Sequence, residues 1–138
     1  MIEVRAAGEA DYPAMGRIQS ASPEAAQWPL GDYSNFSVLL ALVDSEPAGF
    51  CCWRQTAPDE AELLNLAVLP SARRRGVGEA LLAELGRIAS GDIFLEVAAP
   101  NAGAIALYRK LGWEGIGVRA GYYGRGTVDA VVMKKSSC

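Results

Sequence analysis

Residues 66–78 read Leu66-Ala67-Val68-Leu69-Pro70-Ser71-Ala72-Arg73-Arg74-Arg75-Gly76-Val77-Gly78, an apolar run entering a basic, glycine-containing turn that opens an amphipathic helix. At a helix start the first backbone N–H groups have no intrahelical partner and the macrodipole favours negative charge, so such a turn is a seat for an anion. A diphosphate suits both terms. Gly76 and Gly78 would admit close approach and take conformations closed to residues with a Cβ, and Arg73, Arg74 and Arg75 add positive charge. Read alone, such an arginine run is more often a solvated charge cluster, and the surrounding elements have to decide.

Two further residues are chemically conspicuous. Glu96 interrupts the apolar run Ile93-Phe94-Leu95-Glu96-Val97-Ala98, where an acid is costly to bury unless it is paired or used. A salt-bridged or edge-facing glutamate is the plain alternative. Tyr108 falls on the inward stripe of a short helix, so it is either a core aromatic or a proton donor. The chain has no histidine, which excludes Ser-His-Asp and Cys-His nucleophilic sites and histidine-ligated metals. Proton transfer must then use carboxylates, tyrosine, lysine or water.

The elements around these residues follow from periodicity. Val77, Leu81, Leu85 and Ile88 recur at helical spacing, and the helix should end near Ser90-Gly91. The stretch 62–69 is a near-continuous apolar run of a strand covered on both faces, and 93–98 is a second. Strand, helix, strand implies a right-handed parallel crossover. Earlier in the chain, residues 2–6 alternate as a strand, and 9–21 form a helix with Tyr12, Met15 and Ile18 inward. Residues 22–33 are irregular, limited by Pro23, Pro29 and Gly31. Residues 36–44 and 47–56 make a hairpin about Ser45-Glu46. Later, Asn101 caps a helix with Ala104, Ile105, Tyr108 and Leu111 on one side, Gly112 is its C-cap, and strands near 115–123 and 127–134 complete a mixed sheet.

On these residues the chain resembles the GNAT acetyltransferase superfamily. Arg73-x-x-Gly76-x-Gly78 is similar to its Q/R-x-x-G-x-G/A signature, and Leu95-Glu96-Val97 followed by Asn101-x-x-Ala104-Ile105-x-Leu107-Tyr108-x-x-Leu111-Gly112-Trp113 is similar to its later one. The resemblance spans about residues 2–135. With Tyr122-Tyr123 and Asp129-Ala130-Val131-Val132-Met133 it is nearest the RimI-type branch, which acetylates the N-terminal alanine of a ribosomal protein.

The resemblance implies an α/β fold with a mixed seven-stranded sheet, about four helices and splayed parallel central strands. It implies acetyl-CoA as co-substrate, its diphosphate at Arg73, Arg74, Arg75, Gly76, Val77 and Gly78, and its pantetheine arm on the backbone of Leu66, Ala67 and Val68, with Asn101 also touching the arm. It further implies that the Tyr108 hydroxyl meets the CoA sulfur and that Glu96 acts as base, Glu62 being the position where many relatives place theirs. A peptide acceptor is expected against residues 27–33, including Trp28 and Tyr33, and against Tyr122 and Tyr123. Two departures stand out: the family's usual Asn-Tyr-Tyr reads Gly121-Tyr122-Tyr123, and its early Pro-Trp appears as Trp28-Pro29.

Composition agrees with an enzyme of this size. A chain of 138 residues with 51% hydrophobic content is expected to form one domain around a single core. Thirteen basic against sixteen acidic side chains leave a net charge of -3, so no general field recruits nucleic acid. The start Met1-Ile2-Glu3-Val4-Arg5 lacks signal-peptide order and no apolar stretch approaches the roughly 20 residues of a membrane span, so a cytoplasmic protein without membrane contact is expected. Cys51, Cys52 and Cys138 have no metal spacing, and Cys51 and Cys52 are expected as buried free thiols. Three classes stay in view: an N-terminal protein acetyltransferase, an acetyltransferase of small amines, and a non-catalytic acetyl-CoA module. The segments flanking the splay carry few acids, which disfavours polyamine and aminoglycoside substrates, and both Glu96 and Tyr108 are present, which disfavours the third.

Overall fold

Alternation and helical stripes resolve, in the computed structural model, into β1 (Ile2–Ala6), α1 (Tyr12–Ser20), β2 (Ser37–Val43), β3 (Glu46–Ala57), β4 (Glu60–Val68), α2 (Val77–Ile88), β5 (Asp92–Ala98), α3 (Ala102–Lys110), β6 (Glu114–Tyr123) and β7 (Val128–Lys135). The structure describes residues 1–137, so Cys138 lies outside the described residues. The seven strands form one mixed sheet in the order β1-β2-β3-β4-β5-β7-β6. Among the described residues, three α-helices and four 3-10 helices, the longest being the six-residue Leu30–Asn35, supply the helical complement. No helix is long and apolar enough to cross a membrane, and no His/Cys/Asp/Glu group among the described residues could hold a metal.

The chain folds as two compact units, one of Met1–Arg54 with Leu63–Ile88 and the other of Gln55–Glu62 with the described residues from Ala89 onward. In the first, β1 and β3 flank β2 in antiparallel ladders, with a register shift at Ala41/Leu42. The β2–β3 turn places Asp44 and Ser45 at φ 50° and 72°, the paired left-handed conformation of a tight hairpin whose twist matches its strands. Met15 and Ile18 of α1 pack on Leu40, Phe50, Cys52 and Ala67. The helix expected over 9–21 is broken into a 3-10 turn, Glu9–Asp11, and α1. Pro13 sits in the first turn of α1, where its missing N–H costs nothing. Cys51 and Cys52 are both buried and free, and burial pushes both thiols up to about 12.

The second unit pairs β4 with β5 in parallel at Glu60↔Asp92, Ala61↔Ile93 and Glu62↔Phe94. β5 and β6 flank β7 antiparallel. Asn101 caps α3, its side chain accepting from the Ala104 N–H at 3.2 Å. At the other end the sequence expectation is off by one: Leu111 is the C-cap, and Gly112 follows it at φ +94° in the left-handed position that ends a helix. On α2 the stripe holds for Val77, Leu81 and Leu85 and gains Leu82, whereas Ile88, at the last turn, is 37% exposed.

Candidate active site

The cradle is built where β4 hands over to α2. Ala67 is buried in the core, and Pro70–Ala72 turns the chain before the three arginines. Arg74 at φ 64° and Gly76 at φ +84° bend the main chain left-handed. Gly76 accepts the first helical hydrogen bond, from the Ala80 N–H at 2.9 Å, so the N–H groups of Val77, Gly78 and Glu79 form the helix's open N-terminal end. The Val77 side chain is 1% exposed and anchors that end. A Cβ on Gly76 would meet only Ile2 Cδ1 at 3.9 Å, so glycine is required there for its φ and not for crowding. Arg74 and Arg75 are exposed. An exposed basic turn with helix N–H groups behind it fits a diphosphate.

Two close approaches in this region lie outside the cradle motif itself. Arg73 is paired with Glu24 and also donates from Nε to the Val68 carbonyl at 3.4 Å, which accepts a second bond from Ser22 Oγ at 3.0 Å. Gly49 of β3 is the other: a Cβ there would stand 2.9 Å from the Ala67 carbonyl oxygen and 3.0 Å from Val77 Cγ1. An isolated glycine in a strand pattern is the one sequence signal of such a close approach.

Residues 22–35 are fastened to this unit by polar side chains. Asn65 on β4 accepts from the Ala26 N–H at 3.1 Å and donates to the Ala26 carbonyl at 3.0 Å. Gln19 donates to the Trp28 carbonyl at 2.8 Å. Tyr33, expected against a peptide acceptor, is instead 1% exposed. Its hydroxyl donates to Gln19 Oε1 and accepts from Asn65 Nδ2, and burial pushes that hydroxyl up to about 12. Tyr33 is therefore a core brace, because the irregular segment folds back over α1 and not outward. Trp28 stacks on Tyr33 with centroids 5.1 Å apart and, with Asp32, Asn35 and Phe36, lines a cleft of about 380 Å³.

In the second unit Glu96 has company that the sequence did not announce. Its carboxylate, 20% exposed, takes Arg119 Nη1 at 3.1 and 3.3 Å. The same guanidinium lies 4.2 Å over the Tyr122 ring. Tyr122 and Tyr123 meet edge-to-face at 4.8 Å, and the Tyr123 hydroxyl donates to the Glu96 carbonyl at 3.2 Å. Burial is the main cause that raises the Tyr123 hydroxyl above its ordinary value. Gly121, in place of the expected asparagine, sits at φ +63°; asparagine is among the residues that best tolerate this conformation, so the exchange preserves the backbone. Tyr108 is 6% exposed and its ring lies 5.6 Å from that of Trp113. Glu62 is half-buried on β4, opposite Phe94.

The Acetyltransferase (GNAT) family signature matches residues 5–113. The chain belongs to the GNAT acetyltransferase family. Among GNAT proteins it is 44% identical over 85 residues to the ribosomal protein bS18-alanine N-acetyltransferase of Escherichia coli (strain K12), covering 57% of each chain. It is 38% identical over 91 residues to the N-alpha-acetyltransferase RimI of Mycobacterium tuberculosis, covering 65% of this chain and 58% of that one. The match thus spans a little over half the length of these curated relatives. The crystal structure of the ribosomal-protein-S18-alanine N-acetyltransferase from Escherichia coli superposes with a TM-score of 0.84 at 31% identity, covering 99% of this chain and 94% of that chain. The GNAT cradle residues lie in the first unit, and Glu96, Asn101, Tyr108, Tyr122 and Tyr123 in the second.

Proposed function

We propose that the protein transfers the acetyl group of acetyl-CoA to the N-terminal α-amino group of a protein, the acceptor being a ribosomal protein that begins with alanine or a similarly small residue. The observation that carries this reading is the Glu96 carboxylate paired with Arg119, whose guanidinium lies over Tyr122, while the Tyr123 hydroxyl holds the Glu96 main-chain carbonyl. The names of the two bacterial relatives and of the E. coli structure point the same way. Such acceptors are met in the cytoplasm, where we place the enzyme, and neither membrane nor nucleic acid takes part.

Acetyl-CoA is the co-substrate. Its diphosphate is held by Arg73, Arg74 and Arg75 and by the main chain at Gly76, Val77 and Gly78, while the main chain of Leu66, Ala67 and Val68 and the Asn101 side chain position the pantetheine arm. The acceptor's neutral amine attacks the thioester carbonyl carbon, a C–N bond forms and the C–S bond breaks. Glu96, directly or through a water, takes the proton the amine sheds, and the Tyr108 hydroxyl supplies one to the departing thiolate. An α-amino group of pKa about 7.7–8.0 is roughly a tenth to a third neutral near pH 7 to 7.5, against about one lysine in a thousand. One carboxylate without histidine is sufficient for the first acceptor and poor for the second.

The test is acetyl transfer to a panel of N-terminal hexapeptides, with N-terminally blocked lysine peptides, free lysine and spermidine as controls. Free N-termini, alanine first among them, should react fastest, and preferential transfer to lysine or spermidine would overturn the acceptor assignment. The kcat/KM defect of Glu96→Gln should shrink from pH 6.5 to 9.5 as more amine is neutral unaided. A loss confined to Glu62→Gln would move the base to β4.

A further inference from the structure

The pair between Arg119 and Glu96 has a geometry that the acetyl-transfer reading leaves unused. In the sheet register Glu96 stands opposite Val132, which stands opposite Gly117, while Arg119 stands opposite Ala130 in the next row. Neighbouring strands are about 4.8 Å apart, so the Arg119 side chain has to reach across the whole width of β7 to touch Glu96. The reach runs from the Ala130 row to the Val132 row of β7, and Ala130, fully buried, bears only a methyl group.

At the end of that reach the guanidinium fills a seat with two walls. One is the Glu96 carboxylate, contacted at 3.1 and 3.3 Å by a single nitrogen, Nη1, and not by the two-pronged fork that arginine offers a carboxylate elsewhere. The other is the face of Tyr122 at 4.2 Å, an attraction open to any cation. Neither wall asks for a guanidinium in particular. An ammonium group, with one nitrogen and a full positive charge, meets both demands.

We propose that Arg119 is an internal stand-in for the acceptor's α-ammonium: its guanidinium occupies the seat between Glu96 and Tyr122 until an acceptor N-terminus displaces it. This rests on the N-terminal acetyltransferase reading. Most acceptor molecules arrive protonated near neutral pH, so the group that reaches Glu96 first is a cation like the one it replaces. The seat is arranged for exchange. Arg119 is 58% exposed and can swing into solvent, whereas Glu96 is 20% exposed and held by β5. Ion pairs this open are weak and screened, so displacement is easy, yet the carboxylate and ring are never left facing each other without a cation between them. Arg119 is thus a positioning residue that competes with the substrate.

The experiment uses Arg119→Ala, with Arg119→Gln as a second variant and Arg119→Lys as the conservative one, and methylguanidinium as the probe. Calorimetry on the protein alone should show methylguanidinium binding to Arg119→Ala and Arg119→Gln, no binding to wild type or Arg119→Lys at the same concentration, and loss of binding in Arg119→Ala/Glu96→Gln. In acetyl transfer, the peptide KM of Arg119→Ala should fall about two- to five-fold, a larger change than that in kcat, and methylguanidinium should compete with the peptide in Arg119→Ala and Arg119→Gln but not in wild type or Arg119→Lys. Equal binding to wild type, no binding to either neutral variant, or an unchanged or raised KM would overturn the proposal. If free N-termini prove not to be acceptors, the function reading fails and the binding arm alone decides whether the seat exists.

Discussion

Asn65 donates from Nδ2 to the Tyr33 hydroxyl at 2.9 Å while its other contacts take both main-chain groups of Ala26. One buried amide on β4, 6% exposed, therefore fixes both ends of the segment that runs from α1 to β2. Tyr33, resting edge-on against Phe50 at 5.4 Å, is the far end of that brace.

Asn65→Ala should strand the Ala26 N–H and carbonyl and leave the Tyr33 hydroxyl with Gln19 alone. A loss of roughly 1–3 kcal/mol is expected, read as a lower urea midpoint at unchanged slope. Tyr33→Phe should lose about 1 kcal/mol by the same route and leave the peptide KM unchanged. A raised KM without loss of stability would instead make Tyr33 a peptide contact.

Glu24 pairs with Arg73, which we propose as a ligand of the acetyl-CoA diphosphate. Glu24→Gln should free Arg73 and tighten acetyl-CoA binding about two- to five-fold at low salt, the gain fading at high ionic strength. Arg73→Ala should weaken binding modestly, and Gly76→Asp, which sets a carboxylate and a Cβ at φ +84°, should abolish it. Calorimetry with acetyl-CoA checks all three.

Tyr108→Phe should lower kcat by roughly 10²–10⁴ with little change in acetyl-CoA affinity if the hydroxyl protonates the thiolate. The ring itself, 6% exposed and packed on Trp113, is kept in phenylalanine, so the aromatic packing is retained. Single-turnover kinetics beside a melting curve separate the two roles.

What was legible in the chain was what local spacing encodes. The stripe Val77, Leu81, Leu85 and the cap at Asn101 are set by residues three and four apart, and the structure keeps both. Arg119 was not legible as a site residue: it meets Glu96 only across β7, 23 positions along the chain, through a register that two irregularities in β6 adjust. Tyr33 was misread for a related reason. An aromatic in an irregular segment carries no periodicity, so nothing local shows that the segment folds inward onto Asn65, 32 positions away. Gly121 shows the converse: the motif letter differs, and the left-handed backbone found here is one that asparagine also tolerates.

Acid should loosen the N-terminal corner. The Arg5 guanidinium, bonded to both Asp11 oxygens at 3.0 and 2.9 Å, and then the Gly8 N–H hold the Asp11 carboxyl below its ordinary value. A carboxyl lowered in the folded protein contributes stability that is fully present above its unfolded value, near 4, and is lost as pH falls through the folded one. The midpoint difference between wild type and Asp11→Asn should therefore be largest above about pH 5 and close toward pH 2, as followed by calorimetry across that range.

The burial of Cys51 and Cys52 has a practical side. Each turnover of the proposed reaction liberates one small-molecule thiol, and a colorimetric disulfide reagent would ordinarily count protein sulfhydryls along with it. With both strand cysteines inaccessible and their thiolates suppressed by burial, a Cys138→Ser background should give a native enzyme with almost no titratable sulfur of its own. Product release could then be read continuously against an optically silent catalyst, and a sudden reaction of two equivalents would announce unfolding.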